Sequence, residues 1–196
     1  MNEEDIKKQL EVKNKEIYQN KLNLDLNNNL EVLVLTIDNL LNNMEKESVN
    51  KILGIAETFQ NETYIRDNIH AFLDNYREYL MTICDEQKNN LLNLIDNNKR
   101  IEEYKKYLKD NIIKIKEQLN NYFDNSVEIL INKLQNIFTD SFCNIRIEEY
   151  LKNIFKDNLN NKVLDTINSR DIILINTFKE SYLKYQELNK NTVGIE

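Results

Sequence analysis

Between Lys99 and Tyr122, the residues Ile101, Tyr104, Leu108, Ile112, Ile115, Leu119 and Tyr122 recur at steps of three, four, four, three, four and three. At about 100° of turn per residue they share a stripe roughly 80° wide on one helix face. Lys99, Lys106, Lys109 and Lys116 fall on the opposite face. Near-heptad spacing with a charged back is the pattern of a helix that lies along another helix.

The same period runs through most of the chain. Leu22, Leu26, Leu30, Leu33, Ile37, Leu40 and Met44 recur at steps of three and four, although Leu22, Leu24 and Leu26 alone alternate as a strand would. The helical template fits the longer window. From Glu3 to about Tyr18 the apolar pattern thins to Ile6, Leu10 and Ile17, which predicts a weakly packed N-terminal helix over residues 1–20. Ser48 is placed to cap the next helix, whose segment from Ile52 to Gln87 carries Ile65, Ile69, Phe72, Tyr76, Tyr79 and Ile83 on one face. Asp85 or Asn89 and Asn90 then start a segment through Leu91, Leu94 and the Ile101 stripe, continued by Ile129, Leu130, Leu134, Ile137 and Phe138. A helix from about Asn144 to Asn168 carries Ile147, Leu151, Ile154, Leu159 and Leu164. Ser169 or Asp171 caps a last one, with Ile172, Ile175, Phe178, Tyr182 and Tyr185 on its face. The tail, residues 189–196, is expected to fray. The sum is an all-α, elongated antiparallel helical bundle or coiled coil of about five to six helices, forming one unit over residues 1–196.

Composition reinforces the helical reading and complicates its punctuation. There is no proline, and Gly54 is the one glycine away from the C-terminal tail. Asparagine makes up about one residue in six, much of it paired: Asn42/Asn43, Asn89/Asn90, Asn97/Asn98, Asn120/Asn121 and Asn160/Asn161. Asn serves at N-caps and in the left-handed residue after a helix, so these pairs are candidate breaks; the plainer explanation is compositional bias. Arg100 to Tyr104 is echoed by Arg146 to Tyr150, a period that would suit a repeated hairpin if it is more than coincidence.

The net charge of −7 is spread as −4, −2 and −2 over successive blocks of fifty residues and +1 over the last 46. No block has the strongly basic face of a general nucleic-acid binder. Cys84 and Cys143 follow apolar neighbours and read as core side chains in a reducing compartment. The acidic start, Met1 to Asp5, is unlike a signal peptide, and the longest apolar runs are too short for a bilayer. A cytoplasmic location is the expectation.

Candidate chemistry is sparse. His70, the single histidine, lies in a row with Arg66, Asp74 and Arg77 at helical spacing, a flank that can contact an anion or titrate, or simply form surface ion pairs. One histidine and two distant cysteines supply neither a zinc site nor a di-iron bundle. There is no glycine-rich phosphate loop, and Glu102/Glu103 and Glu148/Glu149 read as solvated helix edges. Neither an enzyme nor a cofactor-dependent protein is expected. Between Lys99 and Lys116 seven basic residues face three acids, so this helix face could lie on an anionic membrane or a phosphate backbone. The leading expectation is a non-enzymatic structural or protein-interaction module whose partners are proteins, including copies of itself. The alternatives are a peripheral binder of anionic membrane or nucleic acid through residues 99–116, and an acidic inhibitor of a basic partner site.

Overall fold

A computed structural model describes residues 2–56 and 61–193. Among these the chain forms four helical rods. The first, α1 (Glu3–Ala56), has 54 residues and is about 80 Å long. Next come α2 (Glu62–Asp96) and α3 (Ile101–Gln135). The fourth rod is continuous from α4 (Ser141–Leu151) through a π-helical segment (Lys152–Leu159) into α5 (Asn160–Val193).

Cross-helix bonds fix the topology. Asp38 meets Arg77 and Glu45 meets His70 between α1 and α2, so residue numbers rise on one helix as they fall on the other. The same inversion pairs Gln87 with Asn111, Asn120 with Asn160, Asp124 with Lys156, and Asn29 with Arg170. Each rod is antiparallel to its neighbours, and the fourth closes against the first: an up-down-up-down four-helix bundle. The α2–α3 hairpin turns near Ile95, whose carbonyl accepts a bond from Gln19, whereas α1 and α5 continue beyond it as a pair. Tyr18 stacks on Tyr185 at 4.7 Å and Asn14 bonds Asn189 and Thr192 along that two-helix arm.

The π-helical segment follows from the spacing of apolar residues. Ile147, Leu151, Phe155, Leu159, Val163 and Ile167 recur strictly every fourth residue and all are buried. A regular α-helix would rotate that row by about 40° at each step and carry it off the core. Bonding from i to i+5 puts an extra residue in the turn and keeps the row facing inward.

The expected five to six helices are corrected to four rods. Ser48 does not open a helix: it is buried inside α1, where its hydroxyl donates to the Met44 carbonyl at 2.7 Å. Asp85, Asn89 and Asn90 lie within α2, and Ser169 and Asp171 lie within α5. Of the five asparagine pairs only Asn97/Asn98 marks a break, with Asn98 in the left-handed region at φ 51°. The others sit inside helices, and Asn120 and Asn160 hold α3 to the last rod. Without proline or a left-handed residue, a middling helix former does not stop a helix whose apolar face is packed. The part of the expected Ile52 to Gln87 helix over residues 57–60 lies outside the described residues, but α1 ends at Ala56 and α2 begins after Asn61, itself left-handed at φ 62°.

Several face assignments also shift. Ile6, Ile17, Ile129 and Ile172 are exposed, and their segments pack instead through Asn14 and Tyr18, through Phe123, Val127 and Ile131, and through Leu174. Asn189 and Thr192 belong to α5 and bond Asn14; residues 194–196 lie outside the described residues. The Arg100 to Tyr104 motif opens α3, whereas Arg146 to Tyr150 lies inside α4, so the two copies occupy different settings.

Gly54 is exposed within α1, and a Cβ added there meets nothing within 4 Å. Gly54→Ala is expected to raise stability by about 0.5–1 kcal/mol by reducing the freedom of the unfolded chain. Urea denaturation with an unchanged m-value measures it.

Candidate functional site

The core is divided by a polar layer. One apolar cluster ends on the four rods at Leu33, Cys84, Ile115 and Ile167; a second begins at Leu26, Leu91, Leu108 and Leu174. Between these rows lie Asn29 on α1, Gln87 on α2, Asn111 on α3 and Arg170 with Asp171 on α5. Asn111 donates to Gln87 Oε1 at 2.7 Å, Gln87 donates to Asp171 Oδ1 at 3.0 Å, and Arg170 Nε donates to Asn29 at 3.0 Å. Further along the α1–α5 seam, Ser181 donates to buried Asp25, which also pairs with Lys21. Each contact works only in the observed register, since a slip of one turn would set polar groups against Leu or Ile without partners.

Asp171 is the strained member. It is 5% exposed, and its Oδ2 has no hydrogen-bond partner among the described residues. Burial pushes its carboxyl from the ordinary 3.8 up to about 7, against the opposing effect of the Gln87 bond. The thiol of Cys84 on α2 faces the same region and is pushed up to about 12, chiefly by burial. At 5% exposure the carboxyl lies inside the bundle, and Asp171 lines none of the principal surface grooves.

No motif marks this layer, but its residues interrupt apolar rows. Gln87 falls on the row Leu80, Cys84, Leu91; Asn111 on Leu108, Ile115; Asp171 on Ile167, Leu174. A polar residue occupying an apolar seam on three helices is what would have found it.

The row Arg66, His70, Asp74 and Arg77 lies along the α1–α2 boundary. His70 and Arg77 reach across to α1: His70 Nδ1 bonds Glu45, and Arg77 forms a two-pronged pair with Asp38. Arg66 pairs with Glu62 on its own helix, and Asp74 lies 3.8 Å from His70 Nε2. Asp38, Glu45, His70, Asp74 and Arg77 rim a groove of 350 Å³. Three carboxylates against one permanent cation suit this groove poorly to an anion; its groups serve helix pairing. The hydrogen bond and charge of Glu45 raise the His70 pKa above its ordinary 6.5. Its stabilising contribution is therefore complete below about 6.5 and lost as pH rises through the folded-state pKa. His70→Gln is expected to flatten that alkaline decline only slightly, because the pair is solvent-exposed. Thermal unfolding between pH 6 and 8.5 measures the difference.

Of the Lys99 to Tyr122 stripe, Ile101, Tyr104, Leu108, Ile115 and Leu119 are buried, and Ile112 and Tyr122 are half-buried. Lys99, Lys106, Lys109 and Lys116 are exposed. Lys99 and Arg100 also line a notch of 750 Å³ where the α2–α3 hairpin ends, together with Lys179, Glu102, Ile101, Leu183 and the tyrosines Tyr18, Tyr182 and Tyr185. Sequence spacing could not bring Lys179 and the tyrosines to Arg100, because the hairpin turn does so.

Among the described residues there is no cluster of three or more His, Cys, Asp or Glu that could hold a metal, and neither cysteine is in a disulfide. Among the described residues no helix is long and apolar enough to cross a membrane. No family model matches this chain, and neither a curated protein nor a solved structure does.

Proposed function

We propose that this protein is a non-enzymatic assembly module that associates with copies of itself through its long helices. The observation that carries this reading is a set of large apolar side chains left outside the bundle on α1, where Ile6, Ile17, Leu24 and Leu35 are each 46% exposed or more. A row of large apolar side chains at near-heptad spacing on an outward helix face is characteristic of a helix that pairs with a partner. Asn14, Asp25, Asn29, Gln87, Asn160 and Asp171 are buried polar groups that bond from one helix to another, and Asp171, the most perturbed of them, lines none of the principal grooves. Size-exclusion chromatography with light scattering over a wide concentration range tests it. The apparent mass is expected to climb from the 23.5 kDa of one chain toward twice that value. A mass fixed at 23.5 kDa at every concentration sinks the proposal.

A second reading, binding of anionic membrane or nucleic acid, draws on the notch that joins Lys99, Arg100 and Lys179 to three tyrosines. Against it, Glu102, Glu103 and Asp110 interleave with the basic residues, and Lys114 is paired with Glu86. Flotation with anionic vesicles and titration with a labelled oligonucleotide at low salt decide it. Binding that survives reversal of Lys106, Lys109 and Lys116 to Glu removes that face from consideration.

A further inference from the structure

We infer that the outer face of α1 is the self-association surface, pairing antiparallel with α1 of a second copy in a two-fold register that sets Ile17 against Leu24 of that copy. This rests on the self-association reading and adds the surface, the orientation and the register.

Ile6, Leu10, Ile17, Leu24 and Leu35 are separated by four, seven, seven and eleven residues. Those steps keep all five within about 40° of one another on the helix. The stripe lies about 140° around α1 from the face that carries Tyr18, Leu22, Leu26 and Leu33 into the core. Leu10 is half-buried, while Ile6, Ile17, Leu24 and Leu35 are 46%, 49%, 53% and 64% exposed. Near-heptad apolar spacing on an outward face is the seam of a helix pair that lacks its second helix.

The four exposed members, Ile6, Ile17, Leu24 and Leu35, are spaced by eleven, seven and eleven residues, a pattern that reads the same from either end and selects a copy of the same helix as its occupant. Ile17 and Leu24 are equidistant from a point between Asn20 and Lys21, and so are Ile6 and Leu35. A two-fold axis through that point places Ile17 opposite Leu24 and Ile6 opposite Leu35 twice over, as an isologous interface requires. The counterpart of Leu10 is Glu31, so the one acid within the seam meets an apolar stem instead of another acid. Lys13 lies on the same edge of the stripe as Glu31, and antiparallel pairing brings it to within about one helical turn of Glu31 on the second copy. Lys21, beside the axis, is folded onto Asp25 of its own helix, which limits repulsion between the two copies of that lysine. From Ile6 to Leu35 the strip is about 44 Å long and about 10 Å wide. That is about 440 Å² per copy, below the range of stable interfaces, and predicts a weak dimer that dissociates on dilution.

Two measurements test this on the full chain. The first is light scattering of Ile17→Glu/Leu24→Glu, whose substitutions are at exposed positions. Its dissociation constant is expected to rise at least 100-fold while the helical circular dichroism signal stays at the wild-type level. The second is oxidative cross-linking. An equal mixture of Ile17→Cys and Leu24→Cys chains is expected to give a covalent dimer, whereas Ile17→Cys alone is not. In the proposed register two copies of position 17 are about 10 Å apart along the axis, beyond disulfide reach. The native Cys84 and Cys143 are buried and do not compete. A wild-type dimer that survives the double glutamate variant overturns the surface and leaves self-association standing. Cross-linking of Ile17→Cys to itself as efficiently as to Leu24→Cys overturns the register. A wild-type chain that stays monomeric overturns this inference together with the reading beneath it. If the glutamate variant unfolds, the cross-linking pattern decides alone.

Discussion

Asp171→Asn is expected to stabilise the bundle by about 2–4 kcal/mol at pH 8 and by only about 1–2 kcal/mol at pH 5. In the folded chain the carboxyl holds its proton up to about 7; unfolded, it releases it near 3.8. The folded state therefore binds more protons across that interval, so this group makes stability fall as pH rises from about 4 to about 7, with the full penalty present above. The gap corresponds to about 4 kcal/mol at most. Asparagine retains an oxygen for the Gln87 donor, which bonds Asp171 Oδ1 at 3.0 Å, and carries no charge to bury. Urea denaturation of both chains at pH 5, 6, 7 and 8 measures it. Parallel wild-type and variant curves would show that Asp171 is hydrated, or paired with a cation, in the folded protein.

The largest expected loss is at Phe155. This side chain is fully buried on the π-helical segment, with its ring 4.8 Å from that of Phe72 on α2. Phe72 in turn meets Phe123, and Phe123 meets Tyr76 at 4.7 Å, so one aromatic cluster ties α2 and α3 to the fourth rod. Phe155→Ala removes the ring and leaves a cavity between three rods, at a cost of about 3–5 kcal/mol. For a chain of this size that lowers Tm by roughly 10 °C. Phe155→Leu fills most of the volume and is expected to lose much less. Equal losses from the two substitutions would mean that the cluster is not packed as described.

The fold class was legible because helical periodicity survives an unusual composition. The Ile101 to Leu119 stripe and the Ile65 to Ile83 stripe both predict buried faces, and their core positions are buried. What the sequence obscured was where helices end. Ser48 and Asp171 are of a residue type that suits a cap, but each is enclosed by packing that continues the helix through it. The every-fourth-residue row from Ile147 to Ile167 was visible as spacing, yet reading it as an underwound helix required all six positions to be known as core. The α1 stripe is ambiguous for a related reason. Ile6, Leu10 and Ile17 looked like a thin core face, whereas the helix packs through Asn14 and Tyr18 and leaves Ile6 and Ile17 outside. A single periodic apolar face does not say whether its partner lies in the same chain. The polar groups showed the converse, because Gln87, Asn111 and Asp171 come together only when three helices take up one register.

Native mass spectrometry of the unmodified chain across a concentration series tests the central claim, self-association, most directly. A species at twice 23.5 kDa that grows with concentration is the predicted result. A single species at 23.5 kDa throughout, from folded protein, would contradict it.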